Sequence, residues 1–159
     1  MGQLAGINSV QTGATQPPAR PQAMALCFRT TKKKVQVLLV TSRGTGRWLL
    51  PKGWQVPGKS LAESAAQEAW EEAGAKGQAQ NLLLGSFPYF KWQDDRSLVP
   101  CIGHVYPLHV KGLSDKYPEA GQRRRKWFGL KKAASKLDDP ALAQIVLAFD
   151  PKKLKGGTA

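Results

Sequence analysis

Apolar residues along the chain gather into short runs set apart by polar or glycine-bearing stretches, with one long helical stretch among them. Ala23–Arg29 and Val35–Thr41 have the length and apolar density of buried strands, and Thr30–Lys34 reads as the polar turn between them. Arg47–Leu50 predicts a short third strand that Pro51 ends, followed by a loop carrying Gly53, Pro57 and Gly58. Leu82–Phe90 and Val99–Val110 read as longer strands, Lys111–Gly121 as a polar loop and Lys126–Gly129 as a short strand. Leu130–Lys136 and Pro140–Phe149 read as helices, the second with Leu142, Ile145, Val146 and Phe149 along one face.

The strongest local signal lies between these runs. Ser60 and Glu63 match a capping box, in which each side chain satisfies a backbone amide of the other residue. Alanine-rich sequence continues to Ala73, where Gly74 supplies a C-terminal stop. The pattern therefore predicts a mixed α/β layer protein, with helices on a mostly β core. Length, 159 residues, fits one domain. Residues 1–21, rich in Gly, Gln, Thr and Pro, are expected to be a mobile tail. The domain is expected over 22–150, and 151–159 as a basic C-terminal tail.

Composition adds a constraint on partners. The formal net charge is +13, a field that favours polyanions: phosphorylated small molecules, nucleic acid or an anionic surface. No apolar run approaches the ~20 residues of a membrane span, and 1–21 lacks the apolar core of a secretory signal. Cys27 and Cys101 sit in apolar stretches without metal-type spacing, so they are expected to be buried, reduced thiols of a cytoplasmic protein, a disulfide between them in an oxidising compartment being the alternative. No dense aromatic and basic platform for single-stranded nucleic acid is evident.

Glu68, Glu71 and Glu72 stand at i, i+3 and i+4, so all three project from one helix face. Three like charges there repel, and a hard divalent cation removes that penalty by taking oxygen ligands. Ala66, Trp70 and Ala73 are left to pack the opposite face on a sheet. Spacing alone is compatible with either a solvated acidic face or a metal site. The chain holds only 11 acidic residues, however, and four of them (Glu63, Glu68, Glu71, Glu72) fall in this helix, a concentration that needs a cause.

The segment Gly53–Ala75 resembles the Nudix box, with Gly53, Glu68, Glu71, Glu72 and Gly74 at the matching places and no gap. Arg47–Gly53 resembles the strand and PKG turn that precede the box, and Arg125–Phe128 the later strand that carries a Trp. The resemblance spans roughly 22–149 and implies the Nudix fold, a mixed β-sheet core sandwiched between helices. It further implies a Mg²⁺-dependent hydrolase of phosphoanhydride bonds, with Mn²⁺ as a substitute metal. Glu71 and Glu72 are then the first metal ligands, and Glu68 a further ligand or the base that activates water. Glu119, with Asp115 behind it, is the candidate for an additional carboxylate from a later loop. Substrate grip falls to Arg47, Lys52, Gly53 and the cluster Arg123, Arg124, Arg125 and Lys126, of which alternate members face opposite ways.

Within that family the chain looks most like diphosphoinositol polyphosphate and diadenosine polyphosphate phosphohydrolases, through Ala25–Arg29, Val37–Ser42 and Glu71–Gly77. An RNA 5′-pyrophosphohydrolase or a nucleoside triphosphate hydrolase is the enzyme alternative, and a degenerate domain that binds nucleotide or RNA without cleavage the non-enzymatic one. A polyphosphorylated small molecule is the expected partner, and monomer and homodimer are both compatible with the sequence. Two departures from the box stand out: Lys59 replaces Glu and Gln67 replaces Arg. They are expected to face one another as a matched pair that braces the loop.

Overall fold

The computed structural model describes residues 18–154. Strand β1 (Arg20–Thr31) and strand β2 (Lys34–Thr41) form an antiparallel hairpin. Its turn is tighter than Thr30–Lys34: only Lys32 and Lys33 are unpaired, both at positive φ (49° and 67°), the geometry of a two-residue primed turn. β3 (Trp48–Leu49) pairs with β2. β4 (Lys52–Trp54) pairs antiparallel with the first half of β1, Met24 opposite Lys52 and Gln22 opposite Trp54. The stretch read as a loop from Gly53 onward thus starts with sheet backbone. Three residues are too few to show an apolar period, and the pairing is non-local.

Helix α1 (Leu61–Ala73) follows, then β5 (Ala75–Lys76), β6 (Gly85–Trp92) and β7 (Leu98–His109). β8 (Gly112–Leu113) pairs with β5 inside the segment expected to be a plain polar loop. β9 (Arg125–Gly129) leads into α2 (Leu130–Lys136), α3 (Pro140–Leu147) and a single 3₁₀ turn at Pro151–Lys153. The main sheet runs β9-β2-β1-β7-β6, with β1 and β7 parallel and its other pairs antiparallel. β6 lies at the edge, where Pro88 costs no ladder hydrogen bond. It begins at Gly85 rather than Leu82, because Leu82 and Leu83 face solvent.

Both faces of the central strands are covered, which is why β1 and β2 read as continuous apolar runs. On one face Met24, Leu26, Phe28, Val37 and Leu39 pack under α2 and α3 through Ala133, Ala134, Leu142 and Val146. On the other, Ala23, Ala25, Cys27, Leu38 and Val40 pack against Ala65, Ala69 and Ala73 of α1. These small residues let α1 lie close to the sheet. Trp70 does not join them. It is 36% exposed and meets Tyr117 edge-on, because the buried stripe is set by Ala62, Ala65, Ala69 and Ala73. Cys27 and Cys101 are both buried and free.

Two boundaries shift. β1 starts at Arg20, inside the stretch expected to be tail: Arg20 and Pro21 pair with Cys101 and Ile102, and the Arg20 guanidinium lies 4.0 Å above the Trp54 ring. The rest of that expectation, 1–17, lies outside the described residues. Likewise Pro151 and Leu154 are buried, Leu154 against the first core cluster, so the basic tail does not begin at 151; residues 155–159 lie outside the description. Among the described residues no helix is long and apolar enough to cross a membrane.

Candidate active site

Local chemistry fixes α1 at both ends. The Ser60 hydroxyl accepts from Glu63 N–H at 3.0 Å, and Glu63 Oε1 accepts from Ser60 N–H at 2.8 Å. At the other end Gly74 adopts φ +65°, and a β-carbon there would stand 2.7 Å from Ser114 O. Glycine is required twice over, by conformation and by space. A helix held this firmly presents Glu68, Glu71 and Glu72 in a fixed register.

The three carboxylates meet different surroundings. Glu72, 6% exposed, accepts from Lys52 N–H at 3.3 Å, so the β4 backbone touches it directly. Burial pushes its carboxyl up to about 8, against the opposing pull of Arg123. Burial, with the neighbouring Glu71 and Glu119 charges, raises the Glu68 carboxyl as well. Glu68 reaches over Gly53: a β-carbon on Gly53 would sit 2.6 Å from Glu68 Oε2. Glu71 Oε2 accepts from Gln67 Nε2 at 2.8 Å.

Glu119 arrives from the loop before β9, carried by a backbone bond from its N–H to Glu71 O at 3.0 Å. Its charge is felt at both Glu68 and Glu72. Asp115 does not join this group. It is exposed and accepts from Arg125 Nη2 at 3.0 Å. Four acidic groups from two parts of the chain therefore neighbour one another on the α1 side of β4.

Among the described residues no three His, Cys, Asp or Glu side chains converge closely enough to hold a metal ion between them. Magnesium does not need three: it binds through one or two carboxylates and completes its shell with water and substrate phosphate. Neighbouring carboxyls, one buried and one half-buried, suit a hard cation, which would cancel their repulsion. The donors here fit Mg²⁺ or Mn²⁺ by charge and by hardness.

The expected basic grip is redistributed. Lys52 is half-buried, with its ammonium 5.0 Å from the Tyr89 ring. Burial, with Lys91 as a second cause, lowers it to about 8. Arg123 is not free for substrate. It donates from Nε to Glu119 Oε1 at 2.9 Å and from Nη1 to Thr41 O at 3.2 Å, and Nη2 lies 3.9 Å from Glu72 Oε2. Nor is Arg125, which donates to Ala73 O at 2.7 Å and Ser114 O at 2.8 Å and so closes the C-terminal end of α1. The chain alternates through the start of β9, but the side that meets α1 spends both Arg123 and Arg125 on the protein itself. Arg124 and Lys126 lie on the opposite face, over the Trp48 and Phe128 rings. Arg47 is exposed and pairs with Asp138 at 3.3 Å, a solvated contact of little energetic weight.

The expected Lys59–Gln67 brace is absent. Gln67 bonds within its own helix to Glu71, one turn on, and Lys59 closes the loop through its backbone instead. An amide at i and a carboxylate at i+4 meet without help from the loop. Thr41, which receives Arg123 and holds the start of β9, carried no signal in the sequence. Gln22, whose Oε1 accepts from the Tyr89 hydroxyl at 2.7 Å beside Lys52, was read only as strand. His104 bonds Ser86 and His109 stacks on Phe28, both away from the carboxylates.

Comparison with known proteins adds independent findings. The family model for the NUDIX domain matches residues 18–149. The chain is 33% identical over 124 residues to Nudix hydrolase 21, chloroplastic, of Arabidopsis thaliana, covering 76% of this chain and 59% of that protein. It is 31% identical over 116 residues to human diphosphoinositol polyphosphate phosphohydrolase 3-beta, covering 72% and 66%. The chain thus spans between half and two thirds of the length of these relatives. Among solved structures, the Ap4A hydrolase of C. elegans shares the fold with a TM-score of 0.61 at 18% identity, over 81% of this chain and 94% of that one.

Proposed function

The chain belongs to the Nudix family, and from that premise we propose that it is a divalent-metal-dependent pyrophosphohydrolase. Its substrate class would be the crowded polyphosphates, of the dinucleoside polyphosphate or diphosphoinositol polyphosphate type. The observation that carries this reading is the gathering of Glu68, Glu71, Glu72 and Glu119 beside the Lys52–Gly53 backbone in a protein of net charge +13. Relatives named for diphosphoinositol polyphosphates at about 30% identity support the substrate class.

In this reading Glu68, Glu71, Glu72 and Glu119 hold the metal. When bound, the metal supplies charge neutralisation for the phosphates and a lowered pKa for the attacking water. The chain's own residues do the rest. Glu68, beside Gly53, is either a further metal ligand or the base that takes a proton from water. The absent side chain of Gly53 leaves room for that carboxylate. Lys52 contributes through its backbone N–H on Glu72, its ammonium lying beside Tyr89 on the other side of β4 from Glu68. Two free thiols fit a reducing compartment such as the cytoplasm.

The test is release of phosphate or nucleotide from a panel holding diadenosine polyphosphates, a diphosphoinositol polyphosphate, nucleoside triphosphates and 5′-triphosphorylated RNA. Turnover with Mg²⁺ that stops on chelation is expected, fastest on the first two classes. No turnover of any member with Mg²⁺ or Mn²⁺ would refute the hydrolase.

A further inference from the structure

Between Ser114 and Arg124 no residue is buried, so core packing does not fix the loop that carries Glu119. Polar contacts do. The Arg123 side chain is 11% exposed and spans three elements: Thr41 at the end of β2, Glu119 in the loop and Glu72 on α1. Its backbone is pinned next door, where Arg124 N–H donates to Thr41 Oγ1 at 2.9 Å and Thr41 N–H donates to Arg124 O at 3.0 Å. A planar fork with five N–H donors can serve several acceptors at once; an ammonium offers one point of charge.

We propose that Arg123 is a positioning residue: it holds the Glu119 carboxylate against the α1 glutamates so that acidic groups from two parts of the chain act as one site. The role rests on the hydrolase reading above. The Glu119 backbone is held by its N–H bond to Glu71 O, but its carboxylate faces like charges on α1 and would otherwise turn outward. Arg123 supplies the opposing charge from just before β9 and Thr41 supplies the anchor. The guanidinium is consumed by these contacts, which separates this role from phosphate grip.

The experiment compares Arg123→Gln, Arg123→Lys, Glu119→Gln and the Arg123→Gln/Glu119→Gln double variant, each with its melting temperature, kcat, KM and Mn²⁺ affinity. Arg123→Gln is expected to lower kcat about tenfold or more with KM changed about twofold or less, the pattern of a lost arrangement rather than lost binding. Arg123→Lys recovers little of it. The double variant falls less than the product of the two single losses, because both lesions remove the Arg123–Glu119 contact. A raised KM at normal kcat, growing with phosphate number, would overturn the proposal in favour of substrate grip; so would losses that multiply in the double variant. Mn²⁺ calorimetry keeps the two readings apart if the wild type turns nothing over. Glu119→Gln should then weaken Mn²⁺ binding in the wild-type background and leave it unchanged in Arg123→Gln, whereas an equal effect in both backgrounds refutes positioning. Should Arg123→Gln fail to fold, Arg123→Lys carries the same comparison.

Discussion

Gly53 and Glu68 compete for one volume. The space where a residue-53 side chain would begin is filled by the Glu68 carboxyl group, 2.6 Å from Oε2 to the ideal β-carbon position. The atoms in the way belong to the far end of a flexible side chain, so Gly53→Ala is expected to fold with a melting temperature close to the wild type. Glu68 must then swing away, and turnover is expected to fall by about 10² or more if it acts as the base. Activity that survives in a folded Gly53→Ala would remove Glu68 from the reaction.

Glu72 is the most buried of the group and Glu71 is held by Gln67. Glu71→Gln and Glu72→Gln keep side-chain size while removing the charge a metal needs. Each is expected to lose turnover by about 10² or more, a magnitude typical of lost charge stabilisation at a site. Glu72→Gln should not destabilise the fold, since it removes a poorly solvated carboxylate from a crowded acidic neighbourhood. Thermal melts and Mg²⁺ titrations of kcat check both halves.

Arg125 caps α1 rather than substrate. Arg125→Ala leaves Ala73 O and Ser114 O without their partner, which should cost about 1–3 kcal/mol of stability. KM for long polyphosphates should scarcely move. Arg124→Ala, on the outer face, should do the reverse on stability and cost little. Denaturant unfolding of the two variants separates them.

Cys27 is fully buried, and burial with the nearby Glu72 pushes its thiol up to about 12. It therefore stays a neutral thiol across the physiological range. A disulfide-exchange reagent at pH 8 is expected to leave Cys27 unmodified in the native protein and to react once denaturant opens it. Rapid native labelling of Cys27 would contradict the packing of α1 on the sheet.

Arg20 and Pro21 extend β1 alongside Cys101 and Ile102. A chain beginning at Gln22 should therefore melt several degrees below one beginning at Pro18, through the lost strand pairs and the Arg20–Trp54 contact. Equal melting temperatures would return those residues to the tail.

By itself the sequence determined what rests on contacts within a few residues. The capping box at Ser60–Glu63, the stop at Gly74 and the common face of Glu68, Glu71 and Glu72 follow from helical spacing, and all are present. β1 and β2 were legible because a strand covered on both faces must be apolar throughout. Tertiary structure alone decided which partner each long side chain meets. Arg123 and Arg125 lie adjacent to Arg124 and Lys126 in sequence, yet strand alternation and the β9–β2 register turn the first two towards α1 and the others away from it. Glu119 reaches the α1 glutamates through a loop with no packing signature. Trp70 is left at the surface because alanines, not the largest apolar residue, set how close α1 approaches the sheet. Non-local encounters of this kind depend on register and inter-element distance, quantities that residue spacing does not encode.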